Sequence, residues 1–201
     1  EKPDIVALQQ VDVNTGRTGI NEAVALAEKT KMNFYFAKAI DHDGGDYGVA
    51  ILSRYSLSNG ATHKLPTLAG TNGEPRVLAT ANITVNGKQL TIACTHLDAQ
   101  RSDSNRVAQI NAIMDILKNE KNPVIIAGDL NATPGGPVIN TLDKFFTRTC
   151  LQNCAFTIPQ DGPTKEIDFI AFKPGAAFTV QSHKVIDEKY ASDHLPVLAR
   201  L

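Results

Sequence analysis

Val124-Ile125-Ile126-Ala127-Gly128-Asp129-Leu130-Asn131 is an apolar run that ends in a carboxylate and an amide. Val124 to Ala127 read as a short buried strand, so the chain leaves the core where Asp129 and Asn131 begin. Residues two apart on extended chain point the same way, which puts both polar groups on one surface. A second stretch, Ser192-Asp193-His194-Leu195-Pro196, lies near the C-terminus. Asp193 and His194 are consecutive and would face opposite sides of an extended segment. One can then hold a cation while the other handles a proton or a phosphate oxygen. Together the two stretches suit a metal-assisted phosphoester site.

Outward from Val124, the pattern on the N-terminal side is an amphipathic helix. Asp103 or Ser104 opens it, Val107, Ile110, Met114 and Leu117 form its inner stripe, and it ends before Pro123. Before that, Leu78 to Val85 and Lys88 to Thr95 flank Asn86-Gly87, a hairpin signal because both central positions of a type I′ turn need positive φ. Gly48 to Ser53 and Asp4 to Val11 read as further strands, with a helix from the Asn21 cap to about Lys31 between them. On the C-terminal side a short helix near Val138 to Leu142 precedes strands around Ile167 to Phe172, Phe178 to Val185 and Leu195 to Leu201. Strands dominate without a steady βαβ rhythm. That argues for an α+β layered fold, two sheets packed face to face with helices outside, rather than a doubly wound parallel sheet.

The 201 residues, free of repeats and low-complexity linkers, suit one domain with a core of two layers or more. Twenty basic and 21 acidic side chains give a formal charge of -1, so no overall positive field draws the chain to long DNA or anionic lipid. No apolar run is long enough to span a bilayer, and the start at Glu1, without initiator Met or apolar leader, reads as a processed or excised piece. A monomer is expected. Cys94 falls in a core strand and reads as a plain buried thiol. Cys150 and Cys154 can pair if their stretch loops, which would imply an oxidising compartment such as a periplasm or the cell exterior; spacing leaves free thiols equally open.

His96 continues the Leu90, Ile92, Cys94 face of its strand, and Asp168 shares a face with Ile170 and Phe172. Alone, His96 reads better as a satisfied core histidine and Asp168 equally well as structural or catalytic, and Gly-Asp-Leu-Asn could be a turn whose side chains bond their own backbone. The balance shifts because His96, Asp129, Asn131, Asp168, Asp193 and His194 all fall at strand ends, where polar groups converge. Phosphoester hydrolysis needs a cation, an activated water, and donors aimed at developing charge. Asp129 could orient or deprotonate water, Asn131 could donate to the phosphoryl group, Asp193 could bind Mg²⁺, and Asp168 could hold the His194 tautomer. Arg76, beside a strand start, and Tyr47, after the flexible-looking Asp43-Gly44-Gly45, are substrate-binding candidates for which structural roles are as good. Arg106 reads as structural.

These motifs, in order, resemble the endonuclease/exonuclease/phosphatase superfamily with its DNase I-like fold. The resemblance runs from Ile5-Val6-Ala7-Leu8-Gln9-Gln10 through Tyr47-Gly48-Val49-Ala50-Ile51-Leu52-Ser53, Thr95-His96-Leu97-Asp98, Gly128-Asp129-Leu130-Asn131 and Ile167-Asp168-Phe169 to Ser192-Asp193-His194. It implies a four-layer α/β/β/α sandwich of two packed mixed sheets and Mg²⁺-dependent cleavage of a phosphodiester or phosphomonoester by water, Mn²⁺ being an alternative metal. The substrate would be a phosphorylated small molecule, a phospholipid headgroup or a nucleotide. By motif position Asp129 and Asn131 would flank the attacked phosphorus and His96 and His194 would contact its oxygens. Asp168 would pair with His194, and Asp193 would help bind metal. Two departures stand out. Gln10 occupies the place of the family's metal-binding Glu, and the family's first strand would precede Glu1. Gln10 therefore also admits a catalytically weak or inactive member that binds a phosphorylated ligand or a protein partner.

Overall fold

Asn86 and Gly87 take φ of 50° and 77°, the pair of left-handed conformations that a type I′ turn requires. They join β5 (Val77–Val85) to β6 (Lys88–His96) in register from Val85↔Lys88 to Leu78↔Thr95. A computed structural model describes every residue of the chain except 176 and 177. In it β6 runs parallel to β7 (Val124–Asp129), the connection being α2 (Ser104–Leu117). Strands β4 (Ser58–Lys64), β8 (Thr147–Arg148) and β9 (Asp168–Phe172) complete a six-stranded sheet in the order β4-β5-β6-β7-β9-β8.

The second sheet has three antiparallel strands, β1 (Ile5–Val13), β3 (Gly45–Ser53) and β2 (Asn33–His42), in the order β1-β3-β2. Of the two facing sheets only the six-stranded one is mixed, a correction to the expectation that both would be. Its β6–β7 step is parallel because a 14-residue helix carries the chain back to the same end. β10 (Ser182–Val185) and β11 (Val197–Arg200) pair separately, and both are shorter than the sequence suggests. Phe178 to Gln181, and Leu195 and Pro196, lie outside any strand.

Ala37, Val49, Ile51, Val77, Ala79, Ile83, Ile92 and Cys94 fill the space between the sheets. α1 (Glu22–Thr30) covers the outer face of the small sheet through Ala23, against Val11, Ala50 and Leu52. α2 and α3 (Pro137–Leu142) cover the outer face of the large sheet through Ile110, Ile113, Leu117 and Ile139, against Ala93, Val124 and Phe169. The order of layers is therefore α/β/β/α, as the motifs imply. Asn21 caps α1 by accepting from the Val24 amide. Asp103 does not cap α2 and pairs with Arg106 instead. Among the described residues no helix is long and apolar enough to cross a membrane.

Three strands went unread in the sequence, β2, β4 and the two-residue β8. β2 has one buried residue, Ala37, and β4 none, so neither shows a clean apolar alternation. The Asp43-Gly44 pair that looked flexible is a tight turn, with φ of 46° and 79°, closing β2 onto β3 at His42↔Gly45. Cys94 is fully buried, and burial pushes its thiol up to about 12. Cys150 and Cys154 are joined in a disulfide.

Candidate active site

Strand register brings the first three site residues together. His96 pairs across to Asp129 in β7, and Asp129 pairs across to Asp168 in β9, so the three occupy one row over neighbouring strand ends. Gly128 allows the strands to close: a Cβ there would lie 2.0 Å from the Thr95 carbonyl oxygen. Beyond it Asn131 adopts φ 46°, a conformation asparagine tolerates better than most residues. Its backbone N–H donates to Asp129 Oδ1 at 2.8 Å, and its amide nitrogen donates to Leu97 O at 3.0 Å. That turn does fasten Asp129 and Asn131 to their own backbone, yet it also leaves the Asn131 amide 3.1 Å from His96 Nε2.

His96 stands among polar groups on both sides: Nδ1 lies 3.3 Å from Arg76 Nη1, and Nε2 lies 3.1 Å from the Asn131 amide nitrogen and 3.3 Å from Asp129 Oδ2. Arg76 is 7% exposed and forms a 2.7 Å ion pair with Glu74, whose amide donates to the buried Asp98. Among the described residues Arg76 Nε has no hydrogen-bond partner, an orphan donor beneath the site.

His194 sits in the loop between β10 and β11, with its backbone N–H bonded to Ser192 Oγ at 3.0 Å. Its Nδ1–H donates to Asp168 Oδ2 at 2.9 Å, which leaves Nε2 for the site. Thr157 was missed in the sequence. Its hydroxyl donates to the same Asp168 oxygen at 2.6 Å, and its carbonyl receives the Leu195 amide at 2.7 Å. One residue thus fixes both members of the Asp168–His194 pair, through a long-range fit that no local motif announces.

The hydrogen bond that His194 donates to the Asp168 carboxylate raises the histidine's pKa above the usual range, against the opposing effect of burial. A function that needs cationic His194 is present at lower pH and fades as pH rises through that raised value. The stabilisation from this pair has the same sign: complete below the unfolded-state value, lost on the way up through the folded one. Replacing Asp168 by Asn removes the largest cause, so the alkaline limb of the pH–rate profile moves to lower pH. An unmoved limb would place the titrating group elsewhere.

Asp129, Asp168 and His194 bring one ligand atom each within 4.8 Å of one another. Two carboxylates and an imidazole suit a divalent cation. Asp193 is exposed; its carbonyl, rather than its carboxylate, ties to the Gln160 amide. Gln10 is also exposed. β1 carries a bulge in which Gln9 and Gln10 oppose Val49 alone, and Gln10 takes φ 57° there. The bulge sends Gln9 to Cys94 Sγ and Gln10 the other way, against the Tyr47 hydroxyl. Tyr47 is buried beside Arg76 and His96. Arg106 is structural, donating to the carbonyls of Asp98 and Gln100.

A model of the endonuclease/exonuclease/phosphatase family matches residues 1–194. Human Nocturnin is 28% identical over 149 residues, a match covering 66% of this chain and 33% of that protein, so the chain spans about a third of that relative's length. Among solved structures, a conserved protein of unknown function from Enterococcus faecalis V583 superposes with a TM-score of 0.81 at 22% identity, covering 98% of this chain and 84% of that one. The human Nocturnin catalytic domain with bound sulfate superposes with a TM-score of 0.72 at 24% identity, covering 98% and 80%. With residues 1–194 matched and the ordered motifs gathered at one end of the two facing sheets, this chain belongs to the endonuclease/exonuclease/phosphatase family, whose members are hydrolases of the nuclease and phosphatase type.

Proposed function

We propose that this chain is a divalent-metal-dependent phosphoesterase, using Mg²⁺ or Mn²⁺, that cleaves a phosphodiester or phosphomonoester with water. The observation that carries the reading is the row His96, Asp129, Asp168 across three strand ends, with His194 bound to its last member. A cation held by Asp193 and Gln10 beside Asp129 would neutralise phosphate and acidify a bound water. Asp129, anchored by the Asn131 amide, accepts the proton of the attacking water. Cationic His194 donates from Nε2 to a phosphoryl oxygen, and Asn131 and His96, backed by Arg76, donate from the other side. No side chain in this set serves as a covalent nucleophile.

The substrate proposed is a phosphorylated small molecule, a phospholipid headgroup or a nucleotide, and the formal charge of -1 disfavours long DNA. Hydrolysis of bis(4-nitrophenyl) phosphate should require Mg²⁺ or Mn²⁺ and vanish with chelator; full turnover in chelator would overturn the mechanism. Gln10 favours one other reading, a member that binds its phosphorylated ligand and turns it over weakly or not at all. Under that reading saturating metal restores no hydrolysis although the ligand binds.

A further inference from the structure

We propose that Arg17 is a specificity-determining residue of this site, taking an anionic group of the substrate other than the phosphate being cleaved. The inference rests on the phosphoesterase reading and narrows its substrate to small molecules that carry two phosphates. Arg17 sits in the loop after β1, and its guanidinium lies 5.6 Å over the centroid of the Tyr47 ring. Tyr47 in turn abuts Arg76 and His96 and meets Gln10 at its hydroxyl. Arg17 therefore lies over a ring that lines one small cavity with Arg76. Arg76 is buried against the imidazole, while the Arg17 side chain is 52% exposed.

Arg17 is held on two sides. Nε and Nη2 bond the two oxygens of Asp12 at 2.5 and 3.0 Å, and the flat face rests on Tyr47. Nη1 remains for a ligand. Asp12 is 2% exposed, so an approaching anion meets the arginine rather than the carboxylate. The loop is rigid as well: Asn14 N–H donates to Ile20 O, Gly16 N–H to Asp43 O, and Gly19 N–H to Thr15 O, at 2.7 to 2.8 Å. A cation fixed in this way loses little freedom on binding, and its planar donor edge matches phosphate geometry. A buried carboxylate devoted to a half-exposed arginine has the form of a preorganised binding group.

The test is calorimetric titration of the chain with AMP, ADP and adenosine 3′,5′-bisphosphate, the last two placing a second phosphate differently. At least one of them should bind at least about tenfold tighter than AMP, a difference of ~1.4 kcal/mol. Arg17→Ala should erase that gap. Because it also leaves Asp12 buried without its partner, Arg17→Lys is measured beside it. Lysine keeps a cation for Asp12 but lacks the second donor edge, and should narrow the gap with an intact melting curve. Equal parental affinity for mono- and bisphosphates, or an unchanged gap in a folded variant, overturns the proposal. The readout is binding, so loss of the phosphoesterase reading would show separately, as bisphosphate selectivity without hydrolysis.

Discussion

Asp129→Asn and His194→Ala each lower turnover by about two powers of ten or more, the usual effect of removing a positioned acid–base group or transition-state donor. The structure explains why this should be a chemical loss rather than a folding one. Asparagine retains an oxygen where Asp129 Oδ1 accepts the Asn131 amide, so the left-handed turn beyond the strand survives. What disappears is the charge facing His96 and any capacity to take a proton from water. In His194→Ala the Asp168 carboxylate keeps the Thr157 hydroxyl, and the loop keeps the bond from Leu195 N–H to Thr157 O. Asp129→Asn should therefore melt as the parent does, and His194→Ala should do so at a pH above the range in which His194 is charged. Near-parental turnover with an unchanged melting curve would remove that residue from the mechanism.

The middle of the large sheet, β5, β6, β7 and β9, was legible in the sequence because its signals are local. Asn86-Gly87 demands a hairpin, and the stripe on α2 demands a helix over the Val124 strand. The same locality let the site residues be placed at strand ends. It could not show that His96, Asp129 and Asp168 share one row, since that depends on a parallel register between β6 and β7 and an antiparallel one between β7 and β9. Thr157 was invisible for the same reason: eleven residues separate it from Asp168, and nothing periodic links them. Tyr47 and Arg76 were noticed, but their arrangement under Arg17 depends on the loop after β1 folding back over β3. The unread β2 and β4 are half-solvated, and half-solvated strands with irregular polarity leave a weak pattern.

Gln10→Glu should tighten Mg²⁺ binding by at least about tenfold and raise turnover at sub-saturating metal. If Gln10 faces the cation, the change adds a full negative charge at short range. In a partly solvated site that is worth on the order of a few kcal/mol, less the cost of desolvating the carboxylate. The backbone should not object, because the bulge sets φ 57° at this position and glutamate differs from glutamine only at its terminal atom. The Tyr47 hydroxyl can donate to Glu as readily as it meets Gln10. The gain should therefore go to the metal. Calorimetric titration of parent and variant with Mg²⁺ alone, without substrate, reads the effect independently of catalysis. Equal affinities would mean that Gln10 stands away from the cation and that the cation is held without help from the bulge of β1.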